Sequence, residues 1–234
     1  MNHPSRFQKI SEREDLCDLP LKALQGQFMG KYFMMHKGCL IIKSPDDMII
    51  FQQLFWNLRP AKIIELGTFT GGSAIWMADM LRLMEIKSHI YSMDIDLSLI
   101  EEQVKKLQPE NVTFLEGDSN AIEKTFTEDF LSNLPHPWVV SEDGHTNIYG
   151  VLEHFGRFLK QGDYFVVEDL NPDLPCQLGV GRVFPEYRYE PAGMAVLSEL
   201  KRFLSDYCEE YAVDSAYTDL FGYNATHNWH GYIR

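Results

Sequence analysis

A glycine-rich segment is the part of the chain whose residue types and spacing are most able to do chemistry. An apolar stretch that contains Glu65 is followed by Gly67, Gly71 and Gly72, and then by Ser73. Glycines let the backbone turn tightly and approach a ligand, and a helix that begins at Ser73 offers unpaired N–H groups. The order Glu-x-Gly-x-x-x-Gly-Gly is neither a dinucleotide fingerprint nor a phosphate-binding loop with its lysine. The segment predicts a cofactor-binding turn between a strand and a helix.

This order resembles the first motif of class I S-adenosylmethionine (SAM) methyltransferases, in which Glu or Asp usually stands two residues before the first glycine. The resemblance implies that Glu65, Gly67, Thr68, Gly71 and Ser73 bind SAM. The alternative for Glu65 is that it only caps or orients the glycine loop.

Polar residues also follow the next two predicted strands, where ligands bind in open α/β sheets. Asp94 ends the second strand, about 20 residues beyond the glycine loop, and suits a bidentate contact with ribose hydroxyls. Asp118, Ser119 and Asn120 follow the third strand and are candidates for the adenine edge. Asp94 as a plain turn residue and Asp118 as a helix N-cap are the alternatives.

Three carboxylates follow the fourth and fifth predicted strands. Asp143 follows one strand, and Glu168 and Asp169 follow its expected neighbour. Three converging carboxylates repel one another unless a cation lies between them, and oxygen ligands suit Mg²⁺ or Mn²⁺. The three acids therefore predict a metal site, with solvated turn chemistry as the alternative. His145 is the nearest titratable base and the candidate catalytic residue, although a lone histidine is often structural.

Strands and helices alternate along the chain in a way that positions these residues. The alternation predicts a Rossmann-like, doubly wound, mostly parallel seven-stranded sheet in a three-layer αβα α/β fold, with a C-terminal antiparallel hairpin. The predicted strands cover residues 62–66, 89–94, 112–115, 138–141, 164–167, 210–213 and 230–233, and the predicted helices cover residues 46–58, 73–86, 97–107, 121–131, 149–159 and 193–207.

Two segments outside this core are candidates for enclosing a substrate. Residues 1–40 form a predicted N-terminal arm or lid, and residues 41–234 form the predicted methyltransferase domain. Aromatic side chains of the arm (Phe28, Tyr32, Phe33) are expected to wall the substrate. Residues 173–191, rich in Pro, Gly and Tyr, are the expected specificity loop.

Composition excludes several classes of protein. The 234 residues carry a net charge of −13, which argues against sequence-independent binding of nucleic acid. No apolar run approaches the ~20 residues of a membrane span. Four scattered cysteines without a C-x-x-C pair fit a reducing compartment. We therefore expect a cytoplasmic protein with a small-molecule partner, and an exposed arm able to support a homo-oligomer.

Across about residues 38–234 the chain resembles the cephalosporin hydroxylase/rhamnosyl O-methyltransferase family, which has a catechol O-methyltransferase-like core and binds SAM and Mg²⁺. The resemblance is carried by the glycine loop and by Lys43-Ser-Pro-Asp46-Asp47, Met93-Asp94-Ile95-Asp96, Gly117-Asp118-Ser119, Val167-Glu168-Asp169-x-Asn171 and Asn228-Trp229-His230-Gly231-Tyr232. It implies that Asp143, Glu168 and Asp169 bind the metal and that Glu65, Gly67, Asp94 and Asp118 or Ser119 contact SAM. Asp143 is expected at the cofactor as well as at the metal. His145 departs from the pattern, because the family usually places its histidine three residues after the metal Asp. Thr146 stands where catechol O-methyltransferase-like enzymes have a lysine.

The expected function is therefore SAM- and divalent-metal-dependent O-methylation of a small hydroxylated molecule, such as a vicinal diol, catechol, sugar or natural-product scaffold. Three alternatives remain open at this point. They are a metal-independent N- or O-methyltransferase, a nicotinamide-dependent oxidoreductase and a non-catalytic SAM-binding protein.

Overall fold

The structure, a computed structural model, describes residues 5–107, 109–171 and 193–234, without the side chains of residues 193 and 194. In chain order its helices and strands are β1 (Phe7–Gln8), α1 (Leu21–Lys31), β2 (Met35–His36), β3 (Cys39–Leu40), α2 (Pro45–Leu58), β4 (Lys62–Leu66), α3 (Gly72–Leu83), β5 (His89–Asp94), α4 (Glu102–Leu107), β6 (Val112–Glu116), α5 (Ile122–Thr125), α6 (Glu128–Ser132), β7 (Trp138–Glu142), α7 (Ile148–Gly156), β8 (Tyr164–Val167), α8 (Gly193–Asp206), β9 (Val213–Asp214), α9 (Ser215–Thr218) and β10 (Tyr232–Ile233). Apolar runs form the buried central strands β4, β7 and β8.

One mixed sheet organises the described residues, in the order β1-β9-β10-β8-β7-β4-β5-β6. The five strands from β8 to β6 are parallel, and β10 pairs antiparallel with β8 and β9. Successive residues of β4 face opposite layers: Ile63 packs with α2 and α3, and Ile64 packs with α7 and α8. The predicted doubly wound α/β fold, its three layers and its C-terminal hairpin are confirmed.

The predicted number of seven strands is one too few, because β1 adds an eighth at the sheet edge. This strand pairs antiparallel with β9. The Arg6 guanidinium donates to both carboxylate oxygens of Asp214, each at 2.8 Å. A two-residue strand carries no sequence period, so only its partner reveals it.

Two predicted helices are interrupted. Residues 97–107 form a short 3-10 turn and then α4, because Ile100 adopts an extended conformation (φ −61°, ψ 125°). The break lets the Glu101 N–H donate to the carbonyl oxygen of Thr70 at 3.0 Å, in the glycine loop. Residues 121–131 divide into α5 and α6, where Thr127 caps the second helix through the Phe130 N–H. The observed β9 also begins later than predicted, at Val213.

The N-terminal segment packs closely on the glycine loop. Hairpin β2–β3 presents the carbonyl oxygen of Leu40, which accepts a hydrogen bond from the Thr70 hydroxyl at 2.8 Å. A Cβ on Gly72 would lie 2.0 Å from the same oxygen, so only glycine fits there. The division into an arm of residues 1–40 and a domain of residues 41–234 stays a prediction. None of the helices in the described ranges combines the length and apolarity that a membrane crossing requires.

Candidate active site

A cavity of about 620 Å³ opens at the carboxyl ends of the parallel strands. Most of the predicted site residues line it: Gly67, Thr68, Ser73, Asp94, Asp118, Ser119, Asp143, His145 and Asp169. Three predicted residues, Glu65, Gly71 and Glu168, are not among its lining residues. The sheet therefore brings the two halves of the predicted site, the cofactor side and the carboxylate side, into one cavity.

Gly67 allows the cofactor side and the carboxylate side of the site to pack against each other. Its φ is +97°, and a Cβ there would lie 2.6 Å from the backbone oxygen of Asp143. The parallel register of β4 and β7 pairs Leu66 with Glu142, so the residues that follow each strand leave the sheet side by side. A side chain at position 67 would push the Asp143 backbone away.

Glu65 lies beneath the loop with no exposed surface. Its carboxylate accepts hydrogen bonds from the hydroxyls of Ser73 at 2.6 Å and Ser92 at 2.5 Å. The Ser92 oxygen also lies 2.6 Å from the Thr68 hydroxyl. These contacts fit the alternative role of orienting the loop, and direct contact of Glu65 with SAM stays a prediction.

Asp94 and Asp118 face the cavity and also organise their own turns. Asp94 Oδ2 accepts the Phe69 N–H at 2.7 Å, which ties the end of β5 to the glycine loop. Asp118 caps the next turn by accepting the Asn120 N–H at 2.8 Å, so its N-cap role is confirmed. Neither contact uses every acceptor position of the carboxylate, so a nucleoside hydroxyl or amino group can bind there as well.

The carboxylate side differs in one respect from the predicted metal site. Among the described residues, one group places metal-binding donor atoms within 4.8 Å of one another, and it consists of Asp143, His145 and Asp169. The geometry thus brings His145 into the cluster and leaves Glu168 outside it. His145 has φ +55°, and its buried Nε2 has no hydrogen-bond partner, although it lies 3.5 Å from Asp143 Oδ1.

Glu168 is bound instead by a lysine that precedes α2. Lys43 Nζ lies 2.7 Å from both Glu168 carboxylate oxygens and 3.3 Å from Asp143 Oδ2. The Ser141 hydroxyl donates to Glu168 at 2.5 Å. Asp169, one residue further on, adopts φ +54° and turns to the cavity, where its N–H donates to the Asn228 side chain at 3.0 Å.

A second buried lysine binds Asp169. Lys31, the last residue of α1, is 2% exposed, and its Nζ lies 2.8 Å and 2.5 Å from the two carboxylate oxygens of Asp169. Sequence reasoning missed the pairing of Lys31 and Lys43 with the acids. Lys43 stood in a family motif, but no signal in the sequence connects Lys31 to Asp169.

These contacts set the charges of the cluster. Burial raises the pKa of Asp143 to about 6 and that of Glu168 to about 7, although Lys43 opposes both shifts. Burial also acts to raise the pKa of Asp169, but Lys31, His227 and His145 together outweigh it and hold this pKa far below its usual range. Burial lowers the pKa of His145, so its imidazole is neutral at pH 7 and able to accept a proton.

Of the aromatic side chains expected to wall the substrate, Tyr32 lines the cavity. Phe33 is 72% exposed and does not line it. Phe28 is buried, and Lys31 Nζ lies 5.0 Å from its ring centre. The predicted specificity loop, residues 173–191, lies outside the described residues.

Comparison with known proteins finds a matching family model and relatives that carry the same name. The family model described as "Rhamnosyl O-methyltransferase/CmcI" matches residues 30–234. A rhamnosyl O-methyltransferase of Mycobacterium bovis is 24% identical over 193 residues, which cover 80% of this chain and 72% of the relative. The Mycobacterium leprae enzyme of the same name is 29% identical over 153 residues, covering 62% of this chain and 65% of its own.

Similar solved structures come from the same family. A structure of CmcI with Mg and SAM superposes with a TM-score of 0.66 at 25% identity, covering 87% of this chain and 76% of that one. An apo structure of CmcI gives a TM-score of 0.67 at 25% identity, covering 93% and 84%.

The doubly wound sheet, the glycine loop and the strand-end acids, together with these relatives, define a class I SAM-dependent O-methyltransferase. Within that class, the chain belongs to the rhamnosyl O-methyltransferase/CmcI family. The resemblance inferred from the motifs is thereby confirmed.

Proposed function

We propose that the enzyme transfers the SAM methyl group to a hydroxyl of a small molecule with the help of a divalent metal ion, Mg²⁺ or Mn²⁺. The observation that carries this proposal is the group formed by Asp143, His145 and Asp169, whose donor atoms lie within 4.8 Å of one another. This group shares one cavity with the glycine loop. The Mg and SAM of the CmcI structure support the same pairing of metal and methyl donor.

The residues of the cluster fit such an ion. Asp143 and Asp169 would hold it through carboxylate oxygens, the ligands that Mg²⁺ and Mn²⁺ prefer. Glu168 would join them, as the motifs predict, only where its ion pair with Lys43 opens. When bound, the ion supplies Lewis-acid chemistry that lowers the pKa of the acceptor hydroxyl.

The chain's own residues supply the rest. The glycine loop and Ser73 bind SAM, Asp94 contacts the ribose, and Asp118 and Ser119 face the adenine. His145 removes the acceptor proton, because its buried, neutral Nε2 has no other hydrogen-bond partner. Holding donor and acceptor in one cavity makes positioning the main contribution to the rate.

The names of the relatives support a sugar as one acceptor class, since they are rhamnosyl O-methyltransferases. A vicinal diol, a catechol or a natural-product scaffold presents the same pair of adjacent oxygens. We propose an acceptor with two such oxygens.

One observation favours a second candidate, a metal-independent methyltransferase. Lys31 and Lys43 already neutralise much of the charge of the acids. In that case the lysines replace the metal and the acids are structural.

A methyl-transfer assay separates the two candidates. Purified enzyme is given SAM and a panel of sugars, diols and catechols, with and without exhaustive chelation. We expect activity to disappear on chelation and to return with Mg²⁺ or Mn²⁺. Asp169→Asn should abolish transfer while retaining S-adenosylhomocysteine (SAH) binding, and Asp129→Asn, at an exposed helix position, should retain both. Full activity after chelation together with an active Asp169→Asn variant would favour the metal-independent enzyme.

A further inference from the structure

Helix α1 inserts a cation into the proposed metal site. Lys31 Nζ contacts both carboxylate oxygens of Asp169, and the lysine side chain is 2% exposed. The rings of Phe28 and Tyr32 lie 5.0 Å and 5.7 Å from the same Nζ. Two aromatic faces and a carboxylate hold the ammonium, so its position is fixed by packing as well as by charge.

Apolar and polar contacts also hold α1. Leu24 and Phe28 form a small apolar cluster that shares the partly buried Cys17 with a large core, and the Phe28 ring lies 6.0 Å from the His227 ring. Gln27 donates one hydrogen bond to Asp46 at the start of α2, at 2.6 Å. The ion pair between Lys31 and Asp169 adds to these contacts and ties the last residue of the helix to the cavity.

Lys31 and a divalent ion would have to share the carboxylate of Asp169. Both oxygens of Asp169 accept from Lys31, and a divalent ion on either oxygen would stand next to the ammonium, which is itself only 2% exposed. Like charges at such a distance repel strongly where water is excluded. Binding of the ion and the Lys31–Asp169 pair therefore oppose each other.

We propose that Lys31 is a positioning residue that competes with the divalent ion for Asp169, so that metal binding loosens helix α1 at the cavity wall. The inference rests on the proposed metal dependence and adds to it a link between the ion and the N-terminal helix. The link is reciprocal, because whatever holds Lys31 on Asp169 weakens metal binding, and metal binding weakens the hold on α1.

Calorimetric titration of Mn²⁺ into the SAH-saturated protein tests the competition. We expect Lys31→Gln to bind Mn²⁺ more tightly than wild type, on the order of tenfold, which is a usual size for coupling between sites. Lys31→Arg, which retains the charge, should bind like wild type. Lys22→Gln is the matched control, because Lys22 is exposed on the same helix.

Hydrogen exchange supplies a second readout that does not depend on activity. Saturating Mn²⁺ should speed amide exchange in the second half of α1 in wild type and in Lys22→Gln, and should leave it unchanged in Lys31→Gln. SAH binding by each variant shows that it is folded.

The outcomes separate the two proposals. Equal or weaker Mn²⁺ binding by Lys31→Gln, with wild type binding normally, overturns the competition and leaves metal dependence standing. No Mn²⁺ binding by any of the SAH-bound proteins overturns the metal dependence and the competition together.

Discussion

Replacing Lys43 by Met tests whether the acid cluster is held together by a buried cation. Lys43 is 1% exposed, and its Nζ binds both oxygens of Glu168 at 2.7 Å and one oxygen of Asp143 at 3.3 Å. Met preserves most of the side-chain volume but removes the charge. The variant therefore leaves the buried carboxylate of Glu168 and the partly buried carboxylate of Asp143 without their shared partner.

The expected loss of unfolding free energy in Lys43→Met is large at high pH. Removing one partner of a buried ion pair costs about 3–5 kcal/mol of unfolding free energy. Glu168 and Asp143 already have raised pKa values, about 7 and about 6, so the stability that they contribute as neutral acids is lost as pH rises through these values. Without Lys43 both pKa values rise further and the acids stay neutral to higher pH. The penalty should therefore shrink at low pH by about 1.4 kcal/mol per pH unit for each acid that is protonated only in the variant.

Urea unfolding of the metal-free protein at pH 8 and pH 5 measures both effects. Lys43→Met should lose about 3–5 kcal/mol at pH 8 and about 1–2 kcal/mol at pH 5 relative to wild type at the same pH. Lys124→Met, at an exposed position of α5, should change stability by less than about 0.5 kcal/mol at either pH. A loss below about 1 kcal/mol at pH 8, or the same loss at both pH values, would refute the reasoning.

Three further results are expected. Gly67→Ala should weaken SAH binding at least about tenfold by calorimetry, because φ is +97° and the new Cβ would lie 2.6 Å from the Asp143 oxygen; an unchanged Kd would contradict the role of this turn. Asp94→Asn should weaken SAH binding by about tenfold through loss of a charged hydrogen bond to the ribose. Its affinity for free adenine, which has no ribose, should change little. His145→Ala should lower kcat about 100-fold or more. The fall of wild-type kcat that depends on His145 should begin below the ordinary pKa of histidine, because burial lowers the pKa of His145; an unchanged kcat in His145→Ala would exclude this base.

The strand ends of the site were predictable because periodicity and register specify them. The apolar runs predicted β4 and β5 with their observed bounds, and parallel pairing then places the residues after β4 and β7 side by side. The pairing of Glu142 with Val167 likewise puts Asp143 next to Glu168. In such a sheet, local patterns fix which residues meet at the edge.

The different partners of the neighbouring acids Glu168 and Asp169 were not predictable in this way. Glu168 and Asp169 are adjacent, but Glu168 turns inward to Lys43, whereas a positive φ turns Asp169 outward. A backbone conformation of that kind in a non-glycine residue has no clear sequence signal. Lys31 lies 138 residues before its partner, so tertiary packing alone brings the two together. The break at Thr127, in contrast, carries a recognisable N-cap residue followed by two acids.

The most direct test of the central claim is a crystal structure with SAH and Mn²⁺, in which the anomalous signal locates the metal. The account predicts SAH along the glycine loop and a metal peak bound by Asp143 and Asp169, with Lys31 displaced from Asp169. A structure with SAH bound but no metal peak at these carboxylates, and with Lys31 and Lys43 still paired to the acids, would contradict it.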